Sequence, residues 1–125
     1  MYIVVSTEER EAGELSENRM LNAVIIKTAK EARNHIGALH LKEGLPEEVT
    51  KLRLQAKVLW AIYTRLSRSE PKNREEINKI AKEHTVINKT AADAYSKAIK
   101  TMSDEEFWRI SELNGICLVK VKFDI

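Results

Sequence analysis

Apolar residues recur through the middle of the chain at alternating spacings of three and four, the pattern of a helix with one buried side. Between Pro46 and Arg68 these positions are Val49, Leu52, Ala56, Leu59, Tyr63 and Leu66. After Pro71 the same spacing continues through Ile77, Ile80, His84, Ile87, Ala91, Ala94 and Ala98. A helical pattern also covers about 17–39. We therefore expect three long helices, the second beginning at Pro46 because proline suits the first helical position.

The two ends of the chain have β patterns. Tyr2–Ser6 is a short run rich in β-branched and aromatic residues. Cys117–Ile125 alternates apolar with mostly polar positions, which is typical of a half-buried strand. Because an isolated strand leaves its backbone groups unpaired, we expect the two terminal strands to pair with each other or with another subunit.

Two capping sequences predict where shorter helices begin. Ser6 and Glu9 have the spacing of a capping box, so a helix should follow the first strand directly. Ser103 and Glu106 have the same spacing and predict a short last helix, which should end at Asn114-Gly115.

These elements predict a mainly α protein: a bundle of three long helices plus a short C-terminal helix, with short N- and C-terminal β-strands that pair. The chain has 125 residues, of which 43% are hydrophobic, enough for one domain over 1–125 without disulfides or metal. It contains no run of about 20 apolar residues and no signal-peptide layout. We expect a cytoplasmic protein that does not contact a membrane.

Few residues suggest a chemical site. Cys117 is the single cysteine, which excludes an internal disulfide, and its apolar surroundings predict a buried, inert thiol. His35, His40 and His84 do not share a metal-ligand spacing. No phosphate-binding loop or catalytic triad is visible. We therefore expect neither a metal nor a cofactor. A protein without enzymatic activity is favoured over an enzyme.

The charge is unevenly distributed along the chain. Residues 1–50 contain six Lys/Arg and nine Glu, a net charge of −3. Residues 51–100 contain twelve Lys/Arg and five Asp/Glu, a net charge of +7. A positive surface of this kind attracts phosphates, although a solvated helix face also commonly carries excess lysine.

The sequence leaves open whether the third long segment is one helix or two. Its unbroken apolar spacing favours one helix. Against this, Thr85, Val86 and Ile87 are consecutive β-branched residues, each a few tenths of a kcal/mol less favourable in a helix than Ala. Asn88 directly after them is a good N-cap. A turn near Thr85 with a second helix from Asn88 is the alternative.

The alternative with two helices and a turn near Thr85 resembles the helix-turn-helix of many transcription regulators over about 76–99. Ile80 and Ala81 match the inward positions of the first helix, Val86 the apolar turn position, and Ala91, Ala94 and Tyr95 those of the second. The turn departs from the common pattern because it lacks glycine. The resemblance implies a small regulatory protein that binds DNA or RNA. Its candidate nucleic-acid-binding residues are Lys79, Lys82, Asn88, Lys89, Thr90, Lys97 and Lys100.

A second hypothesis is a non-enzymatic helical-bundle protein, an adaptor or inhibitor that binds another protein. Val58, Trp60 and Ile62 lie partly outside the apolar stripe of the second long helix, which suggests contact on another side. We also expect the chain to form a homo-oligomer.

A third hypothesis is enzymatic and rests on the sequence RNHIGALH. It resembles the motif of HEPN ribonucleases, helical proteins in which an Arg and a His near a dimer interface cleave RNA. The resemblance implies that Arg33 stabilises the phosphate, Asn34 orients the site and His40 is the acid or base.

Overall fold

The computed structural model describes residues 1–14, 16 and 23–120. Its strands are β1 (Tyr2–Ser6), β2 (Ile25–Ile26) and β3 (Ile116–Lys120), and its helices are α1 (Thr7–Ala12), α2 (Ala29–Gly37), α3 (Glu47–Arg68), α4 (Arg74–Thr101) and α5 (Asp104–Leu113). They form two compact units, a sheet unit (Met1–Gly44 with Met102–Ile125) and a helical hairpin (Leu45–Thr101). The mainly α fold is confirmed. That residues 1–125 are a single domain stays a prediction.

Antiparallel pairing joins both ends of the described chain in a three-stranded sheet of order β2-β1-β3. β1 pairs with β3 over its whole length, from Tyr2 opposite Lys120 to Ser6 opposite Ile116. The prediction that the terminal strands pair is confirmed, and the partner is within the chain. The rest of the predicted last strand, residues 121–125, lies outside the described residues.

Helix α5 supplies the centre of the core in the sheet unit. Phe107, Ile110 and Ser111 are the residues that it buries, and Ile36 of α2 is fully buried as well. The spacings of three and four place these α5 residues on one side of the helix. The Ser111 hydroxyl donates to the Phe107 carbonyl at 2.9 Å, so the buried polar group keeps a hydrogen bond.

The predicted capping sequences form as expected. The backbone N–H of Glu9 donates to Ser6 Oγ at 3.1 Å, and the N–H of Ser6 donates to the Glu9 carboxylate at 2.9 Å. At the start of α5 the N–H of Glu106 donates to Ser103 Oγ at 3.2 Å. Gly115 follows the helix with φ of 77°, a left-handed conformation that glycine adopts without a Cβ clash.

The first long helix, expected over about 17–39, is much shorter in the structure. Ile25–Ile26 pairs with β1 as strand β2, and α2 begins at Ala29, after Thr28, whose hydroxyl accepts from the N–H of Glu31 at 3.2 Å. Pairing with β1 gives the two β-branched isoleucines a partner that the local sequence does not reveal. Residues 17–22 of the expected helix lie outside the described residues.

Helices α3 and α4 lie antiparallel in the hairpin, as two aromatic contacts indicate. The Arg53 guanidinium is 4.6 Å from the centre of the Tyr95 ring. Further along α3, the centre of the Trp60 ring is 5.3 Å from that of His84, so increasing numbers in α3 meet decreasing numbers in α4. The buried seam residues are Val49, Ala56, Ala91 and Tyr95. Val49, Ala56 and Ala91 belong to the apolar positions predicted from the spacing of three and four. Tyr95 was predicted as an inward residue of the second helix of the helix-turn-helix.

Helix α4 runs without a break from Arg74 to Thr101, so the turn required by the helix-turn-helix interpretation of 76–99 does not form. The Thr85 hydroxyl donates to the Ala81 carbonyl at 3.0 Å, inside the helix. The β-branched residues cost only a few tenths of a kcal/mol each, and the packing of the seam outweighs that cost. Asn88 therefore lies within a helix and does not cap one.

No helix among the described residues is long and apolar enough to span a lipid bilayer.

Candidate nucleic-acid interface

Five of the predicted nucleic-acid-binding residues lie along one side of α4. We call Lys79, Lys82, Lys89, Lys97 and Lys100 the lysine stripe, and all five are exposed. At about 100° per residue, their spacings of three, seven, eight and three keep them within about a quarter of the helix circumference. The stripe is about 32 Å long, since each residue rises about 1.5 Å. An unbroken helix thus brings these lysines together in a straight row.

Val86 and Asp93 lie within the lysine stripe, between lysines along the same side of α4. Both are exposed, and Val86 has 63% of its surface accessible. Asp93 places a negative charge between Lys89 and Lys97, which lowers the positive potential at the middle of the stripe.

The ion pairs found in the described part of the chain do not include any lysine of the stripe. In the hairpin, Lys51 Nζ pairs with the Glu47 carboxylate at 3.2 Å, on α3. Twelve Lys/Arg and seven Asp/Glu give the hairpin a net charge of +5. Glu75 lies four residues before Lys79 on α4, and Glu83 lies four residues after it. These carboxylates and Asp93 offset part of the positive potential of the stripe.

The two uncharged residues of the predicted set have different positions. Thr90 lies at the edge of the stripe, about 20° around the helix from Lys97. Its hydroxyl donates to the Val86 carbonyl at 2.8 Å, so it already has a partner in the helix. Asn88 lies about 100° or more from each lysine of the stripe, so the structure does not bring it to this surface.

An apolar groove between α3 and α4 adjoins the lysine stripe. It has a volume of about 740 Å³, and its lining comprises Leu54, Gln55, Val58, Leu59, Lys82, Glu83, Val86 and Ile87. Leu54 is 61% exposed and Val58 is 50% exposed. Ile62 continues the same side of α3, four residues beyond Val58. Leu54 was not among the residues predicted for a binding face, although the i, i+4 spacing of Leu54, Val58 and Ile62 outside the seam would have indicated it.

Trp60, predicted to belong to a protein-binding face with Ile62, lies on a different side of α3 from the groove. Its ring stacks on Tyr63 at 5.4 Å between ring centres and also contacts His84. About 55% of Trp60 is exposed, so it covers the edge of the seam. The structure separates Trp60 from Ile62 because residues two apart on a helix point in different directions.

The residues of the ribonuclease hypothesis lie in the sheet unit. Arg33 donates to the Met102 carbonyl at 2.7 Å, pairs with Asp104 and lies 4.7 Å from the centre of the Phe107 ring. Asn34 is exposed on α2, and His40 follows the helix with φ of 56°. The contacts of Arg33 give it a structural role within the sheet unit, and the ribonuclease hypothesis stays a prediction.

Cys117 is buried, as predicted, and its Sγ is 3.6 Å from the carbonyl oxygens of Val5 and Ser6. Burial raises the pKa of the thiol, partly offset by the positive charge of Arg10. The neutral thiol is a poor nucleophile, which fits an inert core position. The described residues contain no group of three or more His, Cys, Asp or Glu placed to hold a metal ion.

Comparison of the chain with protein-family models, curated proteins and solved structures gives no match.

Proposed function

We propose that this is a small nucleic-acid-binding regulatory protein that contacts the phosphate backbone of DNA or RNA through the lysine stripe. The observation that supports the proposal is that five lysines chosen from the sequence lie on one exposed side of a continuous helix. Lysine ammonium groups bind phosphate oxygens and release condensed counterions when they do so.

The geometry favours backbone contacts over base recognition. A straight row of about 32 Å is close to the length of one turn of duplex DNA, about 34 Å. Lysines serve as point charges for phosphates, whereas base recognition commonly uses bidentate Arg, Asn or Gln side chains. Asn88, the one amide of the predicted set, lies away from the stripe. We therefore propose binding that depends weakly on base sequence, which differs from the helix-turn-helix mode.

A salt titration tests the proposal directly. A fluorescently labelled duplex of about two helical turns is titrated with the protein, and anisotropy gives the affinity at each salt concentration. If all five lysines contact phosphates, the slope of log K against log salt should be about −4 to −5, since each contact contributes about −0.9. Affinity should then fall about 500-fold between about 50 and about 200 mM salt. Absence of binding at about 25 mM salt would contradict the proposal.

Replacing Asp93 by Asn should strengthen binding, because it removes a carboxylate from the middle of the stripe. A phosphate at about 4 Å from a carboxylate is disfavoured by about 1 kcal/mol in water, so we expect about a three- to tenfold gain in affinity at low salt. Glu70→Gln removes the same charge from the loop between α3 and α4 and is the matched control. Equal gains for both variants would indicate a general charge effect and no localised interface.

A second candidate function is that of a non-enzymatic interaction protein. The apolar groove favours it, because contiguous exposed apolar surface commonly marks a protein-binding site. Under this function the lysine stripe is a solvated helix face. A chain that binds no duplex at low salt, yet forms a stoichiometric complex through the groove, would favour this candidate. Self-association and a cytoplasmic location stay predictions for both candidates.

A further inference from the structure

We infer that the apolar groove of the hairpin binds an amphipathic helix of a partner protein, one that carries Asp or Glu beside its apolar residues. This inference does not depend on nucleic-acid binding by the lysine stripe. It names the class of partner for the second candidate function. The groove adjoins the lysine stripe and shares Lys82 with it.

The groove has the shape and chemistry to receive one more helix. Leu54, Val58 and Ile62 recur at i, i+4 and i+8 on α3, and Val86 with Ile87 supplies the facing wall from α4. Two antiparallel helices leave a groove between them into which a third helix packs its own i, i+3 and i+4 side chains. The volume of about 740 Å³ lies within the range of pockets that bury several apolar side chains.

Positive charges at the two ends of the groove favour a partner that carries acidic residues. Trp60 lies against His84, and this register places Arg65 level with Lys79. At the other end, the contact of Arg53 with Tyr95 places Lys51 level with Lys97. On α3, Lys51 and Arg65 lie on the same side as the groove apolar residues, so each end of the groove carries cations from both helices.

Acidic residues near the groove offset only part of this positive charge. Glu83 lines the groove beside Lys82, and Glu47 is paired with Lys51. Glu76 lies near the end formed by Arg65. The hairpin as a whole has a net charge of +5, so a second copy would bring like charges together. An acidic helix supplies apolar contacts and opposite charges at the same time, which is why we infer that occupant.

The inference is tested with a synthetic helical peptide of about five turns that carries Leu at spacings of three and four and Glu on both flanks of the Leu stripe. A second peptide has Lys in place of each Glu. Binding of labelled peptide to the full chain is measured by anisotropy. We expect the Glu peptide to bind at least about tenfold more tightly than the Lys peptide, because the flanking charges choose between them.

Two matched variants locate the binding site. Leu54→Glu with Val58→Glu places two charges in the groove at exposed positions. This variant should bind the Glu peptide at least about tenfold more weakly than the wild type. Asn88→Glu with Ala92→Glu adds the same charges, at the same spacing, on exposed positions of α4 away from the groove, and should change affinity less than about threefold. Circular dichroism checks that both variants keep their helix content.

Three results would overturn the inference. The first is equal binding of the Glu and Lys peptides, or no binding of either at about 1 mM. The second is undiminished binding by the Leu54→Glu, Val58→Glu variant. The third is a dimer of the wild-type chain in sedimentation that this variant abolishes, since a second copy would then occupy the groove. Loss of duplex binding alone concerns the lysine stripe and leaves the inference standing.

Discussion

Replacing all five lysines of the lysine stripe by glutamine is expected to lower the affinity for duplex DNA at least about 100-fold near 50 mM salt and to reduce the salt slope by about four. Glutamine keeps the length of the side chain and is a good helix former, so α4 should stay folded. The loss arises because each missing ammonium group no longer releases a counterion from the duplex. Anisotropy titrations at several salt concentrations measure both quantities.

The control variant removes five positive charges elsewhere in the hairpin. It replaces five exposed residues by glutamine: Lys51, Lys57, Arg65, Arg68 and Lys72. The net charge changes by the same amount, so long-range attraction weakens equally in both variants. We expect this control to lose less than about tenfold in affinity. If both variants lose equal affinity, binding is governed by net charge and the stripe is not an interface.

The Phe107→Ala variant is expected to lower the free energy of unfolding by about 3–5 kcal/mol. Phe107 has no accessible surface, and its ring contacts the Arg33 guanidinium and lies T-shaped against the Trp108 ring. Removing the ring leaves a cavity in the sheet unit and takes away the surface on which Arg33 lies. Urea unfolding followed by circular dichroism measures the change.

Leu39→Ala is the matched control for the core variant. Leu39 is also apolar and in the sheet unit but is 49% exposed, so truncation should cost less than about 1 kcal/mol. A small effect of Phe107→Ala, similar to that of Leu39→Ala, would mean that α5 does not supply the centre of this core.

Local sequence features predicted the starts of α1 and α5 well. The capping box at Ser6 and the N-cap at Ser103 act through hydrogen bonds to residues three positions away, so the sequence contains all the information that they need. Strand β2 could not be predicted in the same way. Its two residues are stabilised by β1, more than 20 positions earlier, and the local pattern favoured a helix.

Helix α4 continues through 84–88 for an energetic reason. Thr85, Val86 and Ile87 together cost the helix about 1 kcal/mol, which local propensity correctly indicated. Propensity does not include the packing of His84 and Tyr95 against α3 on either side of Thr85–Ile87, which holds both halves of α4 in line. The apolar spacing of three and four did include this packing, and it was the better predictor.

The candidate surfaces were predictable to different extents. The lysine stripe follows from the same helical spacing that defines the seam, so five of the seven residues predicted for two helices lie together on one helix. The apolar groove depends on which sides of α3 stay uncovered after α4 packs. A sequence pattern alone cannot separate an uncovered apolar residue from a buried one, since both contribute to the same hydrophobic periodicity.

The pairing of β1 with β3 determines the order in which the two units can form during synthesis. Val5 and Cys117, opposite each other in the sheet, are 112 residues apart. At about 5–20 residues per second, roughly 5–25 seconds separate their emergence from the ribosome. The hairpin contacts are nearer in sequence and can form before β3 is made. During this interval the edge of β1 that β3 will cover is unpaired, and a chaperone that shields strand edges would protect the nascent chain most at this stage.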